Sequence, residues 1–210
     1  MSYIVKECYY TLQGEGGQSG RAAVFCRFAG CNLWSGLEKD RETAACTFCD
    51  TDFVGTNGRG GGKFDNAIAL ANHITSSWVG RGARPLVVFT GGEPLLQVDE
   101  SLLAALHLRG WEVAVESNGT ITAPAGIDWL TVSPKGTSPL LQKTGTELKL
   151  VFPQDTAPPE NFKDLPFKHF FLQPMDGPDR ERNCQLAVHY CLAHPQWRLS
   201  VQVHKIVGIS

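Results

Sequence analysis

No apolar run in this 210-residue chain is longer than a strand, so nothing in it reads as a membrane span. Its first ten residues, MSYIVKECYY, lack the apolar core of a secretory signal. No strong charge of either sign is present: 19 Lys and Arg stand against 21 Asp and Glu, a formal net charge of −2. That balance gives no electrostatic case for nucleic acid or an anionic lipid surface as partner. Internal repeats, low-complexity tracts and linkers are also missing. One domain over 1–210 is therefore expected, in a soluble, cytoplasmic protein with 42% hydrophobic residues.

Cysteine is not scarce. Seven of them in such a chain point to metal or redox chemistry plus packing rather than disulfides. Cys31, Cys46 and Cys49 stand out in CNLWSGLEKDRETAACTFCDT. Cys46 and Cys49 are close enough to bind one inorganic centre, and Cys31 reaches it if 32–45 form an excursion loop. Three thiolates without a fourth ligand suit a cubane iron–sulfur cluster with one open iron. A Cys3His zinc is the alternative, although no histidine lies between Val5 and Asn72. Unconnected core cysteines are the third reading. Cys8 and Cys26, in strand-like alternation, and Cys184 and Cys191, on one helical stripe, read as packing residues.

The expected elements alternate. Tyr3–Gln13 is extended and runs into a flexible turn, Gly14 to Gly17. Ala22–Phe28 is a strand by apolar density, and helical spacing from Phe64 to Trp78 predicts a helix over Lys63–Val79. Leu86–Phe89 is a buried strand, followed by a helix capped by Asp99 and stopped by Gly110. Further strands are expected at Glu112–Glu116, Trp129–Val132, Glu147–Phe152 and His169–Leu172. A helix then covers about Asp179–Ala193, and Leu199–His204 is a closing strand. The connections after the Glu112 strand carry breakers instead of helices. The expected fold is thus α/β: a truncated, splayed, partial TIM-type βα barrel of about six strands and three main helices.

Polar residues interrupt these apolar strands. Arg27 interrupts AAVFCRF, Glu116 and Asn118 share a face, and Ser133 and Lys135 end LTVSPK. Glu147 and Lys149 share a face, Gln173 follows HFFL, and Gln202 and His204 share a face of SVQVHK. Each alone can be a buried ion pair, but together they mark a polar site at the C-terminal rim. The turn Gly91-Gly92-Glu93-Pro94 adds two glycines that let backbone approach a ligand, and a carboxylate for an ammonium.

Three cysteines ending in Cys-x-x-Cys, then GGEP after a strand, resemble the radical S-adenosylmethionine enzymes. Fourteen residues replace the usual three between the first two cysteines. That expansion, with LQGEG, FCRFAGCNLW, CDT, ESNGT, VSPK, LQPMDG and QVHK, resembles the 7-carboxy-7-deazaguanine synthases over nearly the whole chain. The resemblance implies a 4Fe–4S cluster on Cys31, Cys46 and Cys49, with S-adenosylmethionine on the open iron. It implies ring contraction of 6-carboxy-5,6,7,8-tetrahydropterin to 7-carboxy-7-deazaguanine with loss of ammonia, toward queuosine and related deazapurines. By the same resemblance Phe48, Cys49, Asp50, Gly92 and Glu93 hold S-adenosylmethionine. Glu116, Asn118, Ser133, Pro134 and Lys135, with Gln173, Pro174, Met175 and Asp176, complete its pocket.

The pterin falls to Leu12, Gln13, Gly14 and Glu15, with Thr90 at the junction of the two ligands. Arg27 suits the substrate carboxylate, which a guanidinium can grip with two bonds. Thr51 offers a hydroxyl to Mg2+, an ion that favours oxygen ligands. His204 and the α-carboxylate of Ser210 are expected at the pterin edge. A homodimer and a flavodoxin- or ferredoxin-type electron donor are also implied. Two rival readings are a glycyl-radical activating enzyme and, from another class, a zinc-binding interaction module.

Overall fold

The computed structural model describes residues 2–209. Strand β1 (Tyr3–Leu12) turns back antiparallel onto β2 (Ala22–Phe28). A long connection carries the short 3-10 turn Glu38–Thr43 and ends in β3 (Gly62–Phe64), which pairs with the outer side of β1. Helix α1 (Ala67–Ser77), β4 (Leu86–Gly91), α2 (Glu100–His107) and β5 (Glu112–Ser117) follow as βα units. Then come β6 (Trp129–Val132), β7 (Gly145–Phe152) and β8 (Phe167–Pro174). Helix α3 (Arg180–Ala193), β9 (Trp197–Leu199) and the short helix α4 (Val203–Val207) complete the order. All nine strands lie in one sheet, β3-β1-β2-β4-β5-β6-β7-β8-β9, parallel from β2 onward. The six strands β2 and β4–β8 are the parallel core of the expected partial barrel. No α-helix is described between α2 and α3, as the breakers in those connections indicate.

The sheet's alternation separates a core from a site. On the outer face Val24, Cys26, Phe28, Val87, Phe89, Val113 and Val115 pack against Leu70, Ile74, Leu102 and Leu106 of α1 and α2. Each such buried side chain contributes roughly 1.5–3 kcal/mol. The inner face begins apolar, with Ala23, Leu86, Val88 and Ala114 in a second small cluster. One or two steps further along the same strands it becomes polar, at Arg27, Thr90 and Glu116, which line a cavity.

Three expectations need correction. The helix predicted from Lys63 begins only at Ala67. Lys63 and Phe64 pair with β1, and the Asn66 side chain caps the helix by accepting from Ala69 N at 2.9 Å. The closing strand predicted over Leu199–His204 does not exist. Strand β9 stops at Leu199, because Val203 N donates to Gly14 O at 3.0 Å and pulls the chain off the sheet into α4. Gln202 therefore precedes that helix and His204 lies within it, instead of sharing a strand face. The turn after β1 is packed, not flexible. A side chain at Gly16 would collide with the Glu147 carboxylate, and one at Gly17 would meet the Trp129 ring at 2.9 Å. Of the expected packing cysteines, Cys8 and Cys26 are buried opposite one another on β1 and β2, while Cys184 and Cys191 are half-buried.

Candidate functional site

The polar half of the inner face encloses a cavity of about 710 Å³, a volume suited to small-molecule ligands. The loops after β4, β5, β6 and β8 supply Gly92, Asn118, Ser133 with Lys135, and Gln173 to Asp176. The segment after β1 supplies Leu12, Gln13, Gly14 and Glu15, and the cysteine segment supplies Cys46 and Phe48 to Thr51. Arg27, Thr90, Glu116 and His204 line it as well. Of the residues singled out from sequence for the site, Cys31, Glu93, Pro134 and Glu147 do not line it, and Ser210 lies outside the described residues.

Glu93 differs most from expectation. It is fully buried, and its two oxygens accept the backbone N–H groups of Leu95 (2.9 Å) and Asn118 (2.7 Å). Burial raises its pKa, against the pull of those donors. Its carboxylate ties the turn after β4 to the end of β5. Pro134 is turned away as well, its carbonyl accepting from Gln154 Nε2 at 3.4 Å. Gly91 adopts φ +140° and Gly92 lies against Gly30 and Cys31, where a Cβ would stand 2.6 Å from that of Cys31. Asn118 Nδ2 donates to Asn32 Oδ1 at 3.0 Å, holding the residue after Cys31. The turn's glycines thus admit the protein's own cysteine segment.

Arg27 is not the unpaired cation its strand suggested. Its Nε donates to Glu7 Oε1 at 2.7 Å, the Tyr9 side chain is a further partner, and the residue lines the cavity. Deeper in, Lys149 is only 4% exposed and lies 2.6 Å from Glu15 Oε2 and 3.1 Å from Glu116 Oε2. Gln13 Nε2 donates to Glu116 Oε1, and Gln202 Nε2 to Glu15 Oε1. Burial works against the Glu15 charge, but the ammonium and the donors beside it win and hold its carboxyl down at about 2. Lys135, bonded to Ser133 Oγ, is shifted down by burial despite the nearby thiols.

Sequence reasoning missed two anchors. Lys6, on β1, donates to Asp52 Oδ2 (2.6 Å), Val54 O (2.9 Å) and Asn57 Oδ1 (2.7 Å), which fixes the loop after Thr51. Lys205 of α4 bridges Asp50 (2.7 Å) and Asp176 (2.6 Å), joining the cysteine loop to the end of β8. An inward cation in YIVKECYY was a visible signal for Lys6. Nothing local marked Lys205, whose role depends on α4.

The seven cysteines are all free. Burial raises the pKa of Cys31 and of Cys46, and the charges of the other thiols add to it. The three thiols therefore lie within electrostatic reach of one another beside the cavity. Arg41 of the excursion loop donates to Thr47 O (2.9 Å) and Cys49 O (3.0 Å), while its guanidinium lies 4.1 Å over the Trp34 ring. Among the described residues no group of three or more His, Cys, Asp or Glu converges to hold a metal ion. A cubane takes its thiolates on separate irons, so three soft donors with no fourth are a donor set whose chemistry fits such a cluster.

A partial βα barrel with a polar pocket at its strands' C-terminal ends defines an enzyme of the βα-barrel class. No family model matches the chain. It is 65% identical over 209 residues to the 7-carboxy-7-deazaguanine synthase of Caulobacter vibrioides, covering 100% of both chains. It is 64% identical to that of Bordetella pertussis over the same length and coverage. The crystal structure of QueE from Escherichia coli superposes with a TM-score of 0.69 at 26% identity, over 97% of this chain and 95% of that one. The chain belongs to the 7-carboxy-7-deazaguanine synthase family.

Proposed function

We propose that this protein converts 6-carboxy-5,6,7,8-tetrahydropterin to 7-carboxy-7-deazaguanine, contracting the ring and releasing ammonia, in queuosine or related deazapurine biosynthesis. Full-length identity of 65% to a synthase of that name carries the reading. Cys31, Cys46 and Cys49 hold a 4Fe–4S cluster, which with S-adenosylmethionine supplies the radical chemistry when bound. Phe48 to Asp50, Gly92, Ser133, Lys135 and Gln173 to Asp176 surround S-adenosylmethionine, supported by their common place on the cavity wall next to two of the thiols. Glu93 and Pro134 serve that pocket by shaping its turns.

Leu12 to Glu15, Arg27, Thr90 and His204 take the pterin. Arg27 takes the substrate carboxylate, and Glu7 holds the guanidinium in place. Thr51 contributes a hydroxyl to Mg2+, its loop held by Lys6 through Asp52. No described helix is long and apolar enough to cross a membrane. A cytoplasmic homodimer fed by a flavodoxin or ferredoxin belongs to the same proposal.

Anaerobic incubation of the cluster-loaded protein with the carboxytetrahydropterin, S-adenosylmethionine and a low-potential reductant tests the reading. The deazapurine chromophore should grow and pterin absorbance fall. An intact cluster that cleaves S-adenosylmethionine yet leaves the pterin untouched would sink it.

A further inference from the structure

The buried ammonium of Lys149 takes no part in the roles assigned above. It is the most enclosed charge of the cavity wall, 4% exposed, and bonds to two carboxylates, one from the loop after β1 and one from β5. Each carboxylate has a second anchor: Gln202 on Glu15 Oε1 and Gln13 on Glu116 Oε1. A carboxylate has about four lone-pair sites, so each keeps acceptor capacity after these bonds. The trio has two negative charges and one positive. It is an acceptor-rich surface held rigid by a donor that the ligand does not need to supply.

A tetrahydropterin has N–H groups at both reduced ring nitrogens, N5 and N8. The fully oxidised pterin has bare acceptor nitrogens there. An acceptor fixed against either position favours the reduced ring and leaves the oxidised one facing lone pair against lone pair. Resting on the proposed pterin chemistry, we infer that Lys149 is a positioning residue: it locks Glu15 and Glu116 as a pair of acceptors that selects the reduced pterin over its oxidised form.

Three further charged groups face the trio. Glu147 interacts with Lys149 from lower on β7, Lys135 with Lys149 from the loop after β6, and His204 with Glu15 from α4. None bonds to either carboxylate in place of Lys149. Removing the ammonium therefore leaves Glu15 to the effect of burial, which pushes its pKa up. Binding that needs its carboxylate should then weaken as pH falls toward that raised value, whereas the native pocket should not respond until strongly acid pH.

The experiment is anaerobic calorimetric titration of cluster-loaded protein with 6-carboxytetrahydropterin and, separately, with fully oxidised 6-carboxypterin, across pH. The wild type should prefer the reduced ring. Lys149→Met should cut that preference by roughly 10- to 100-fold, the equivalent of one or two charge-assisted bonds, and make it pH-dependent. Lys149→Arg, which keeps a cation, should recover part of it.

Two stranded carboxylates can prevent Lys149→Met from folding. The double variant Lys149→Met/Glu116→Gln strands only one and should fold with the preference still reduced. A folded Lys149→Met, or the double variant, that keeps the native preference and pH response would overturn the inference, leaving Lys149 as a structural ion pair. Wild-type protein that binds neither pterin would overturn the functional reading and the inference with it.

Discussion

Glu93 shows how little a residue's type says about what it faces. GGEP on a strand end advertises a carboxylate, but two backbone N–H groups take its oxygens, one of them 25 positions away in sequence. Glu93→Gln keeps size and removes one acceptor, so an amide N–H2 must face a backbone N–H. The variant should lose about 1–3 kcal/mol in denaturant unfolding, and a midpoint unchanged from the wild type would remove Glu93 from this role. Arg27, Glu116 and Lys149 were legible as polar residues on apolar strands because a period of two places them beside apolar inner-face neighbours. Their partners were not legible: Glu7 for Arg27 and Glu15 for Lys149 come from a strand and a loop that only the folded sheet brings near.

Elements with strong local chemistry were readable, and those decided by distant contacts were not. Helix α2 has its cap in the sequence, Asp99 accepting from Leu102 N at 2.9 Å. Strand β2 is apolar on both faces up to Arg27 and was found with its true ends. Helix α1 was read four residues too long at its start, since Phe64 fits helical spacing but is used by β3. The stretch Leu199–His204 was read as a strand because so few residues of alternating polarity cannot separate the two periods; hydrogen bonds to the loop after β1 take Val203 and His204 into α4 instead. The excursion loop 32–45 is itself an organised element. Arg41 ties it to the backbone of the cysteine pair, and Arg41→Ala removes both bonds without touching a thiol. That variant should fold normally and assemble a cluster, but release iron to a chelator several-fold faster. Equal release rates would show the loop to be a bystander.

At the scale of the molecule, one sheet serves two purposes, with α1 and α2 on its outer face and a polar cavity on its inner one. The sevenfold cysteine set tests that division. Ala at Cys31, Cys46 or Cys49 should leave the fold intact and reduce bound iron from about four per chain to near zero. Ala at Cys8, Cys26, Cys184 or Cys191 should keep the iron and cost at most about 1–2 kcal/mol of stability. A full iron complement in Cys31→Ala would break the assignment. The partial barrel itself was legible from the order of elements and the missing helices after β5. How its open side is sealed was not. The seal is a seam in which Gly14, Glu15 and Gly16 meet Val203, Gln202 and Ser200, partners nearly a whole chain apart. During synthesis this seam can form only after every described strand has emerged. All three cluster cysteines leave the ribosome with the first fifty residues, but the wall holding Gln202, His204 and Lys205 emerges after every strand. A nascent chain therefore keeps that side of the barrel open until residues 200–205 have emerged, and the closed cavity is the product of that late segment.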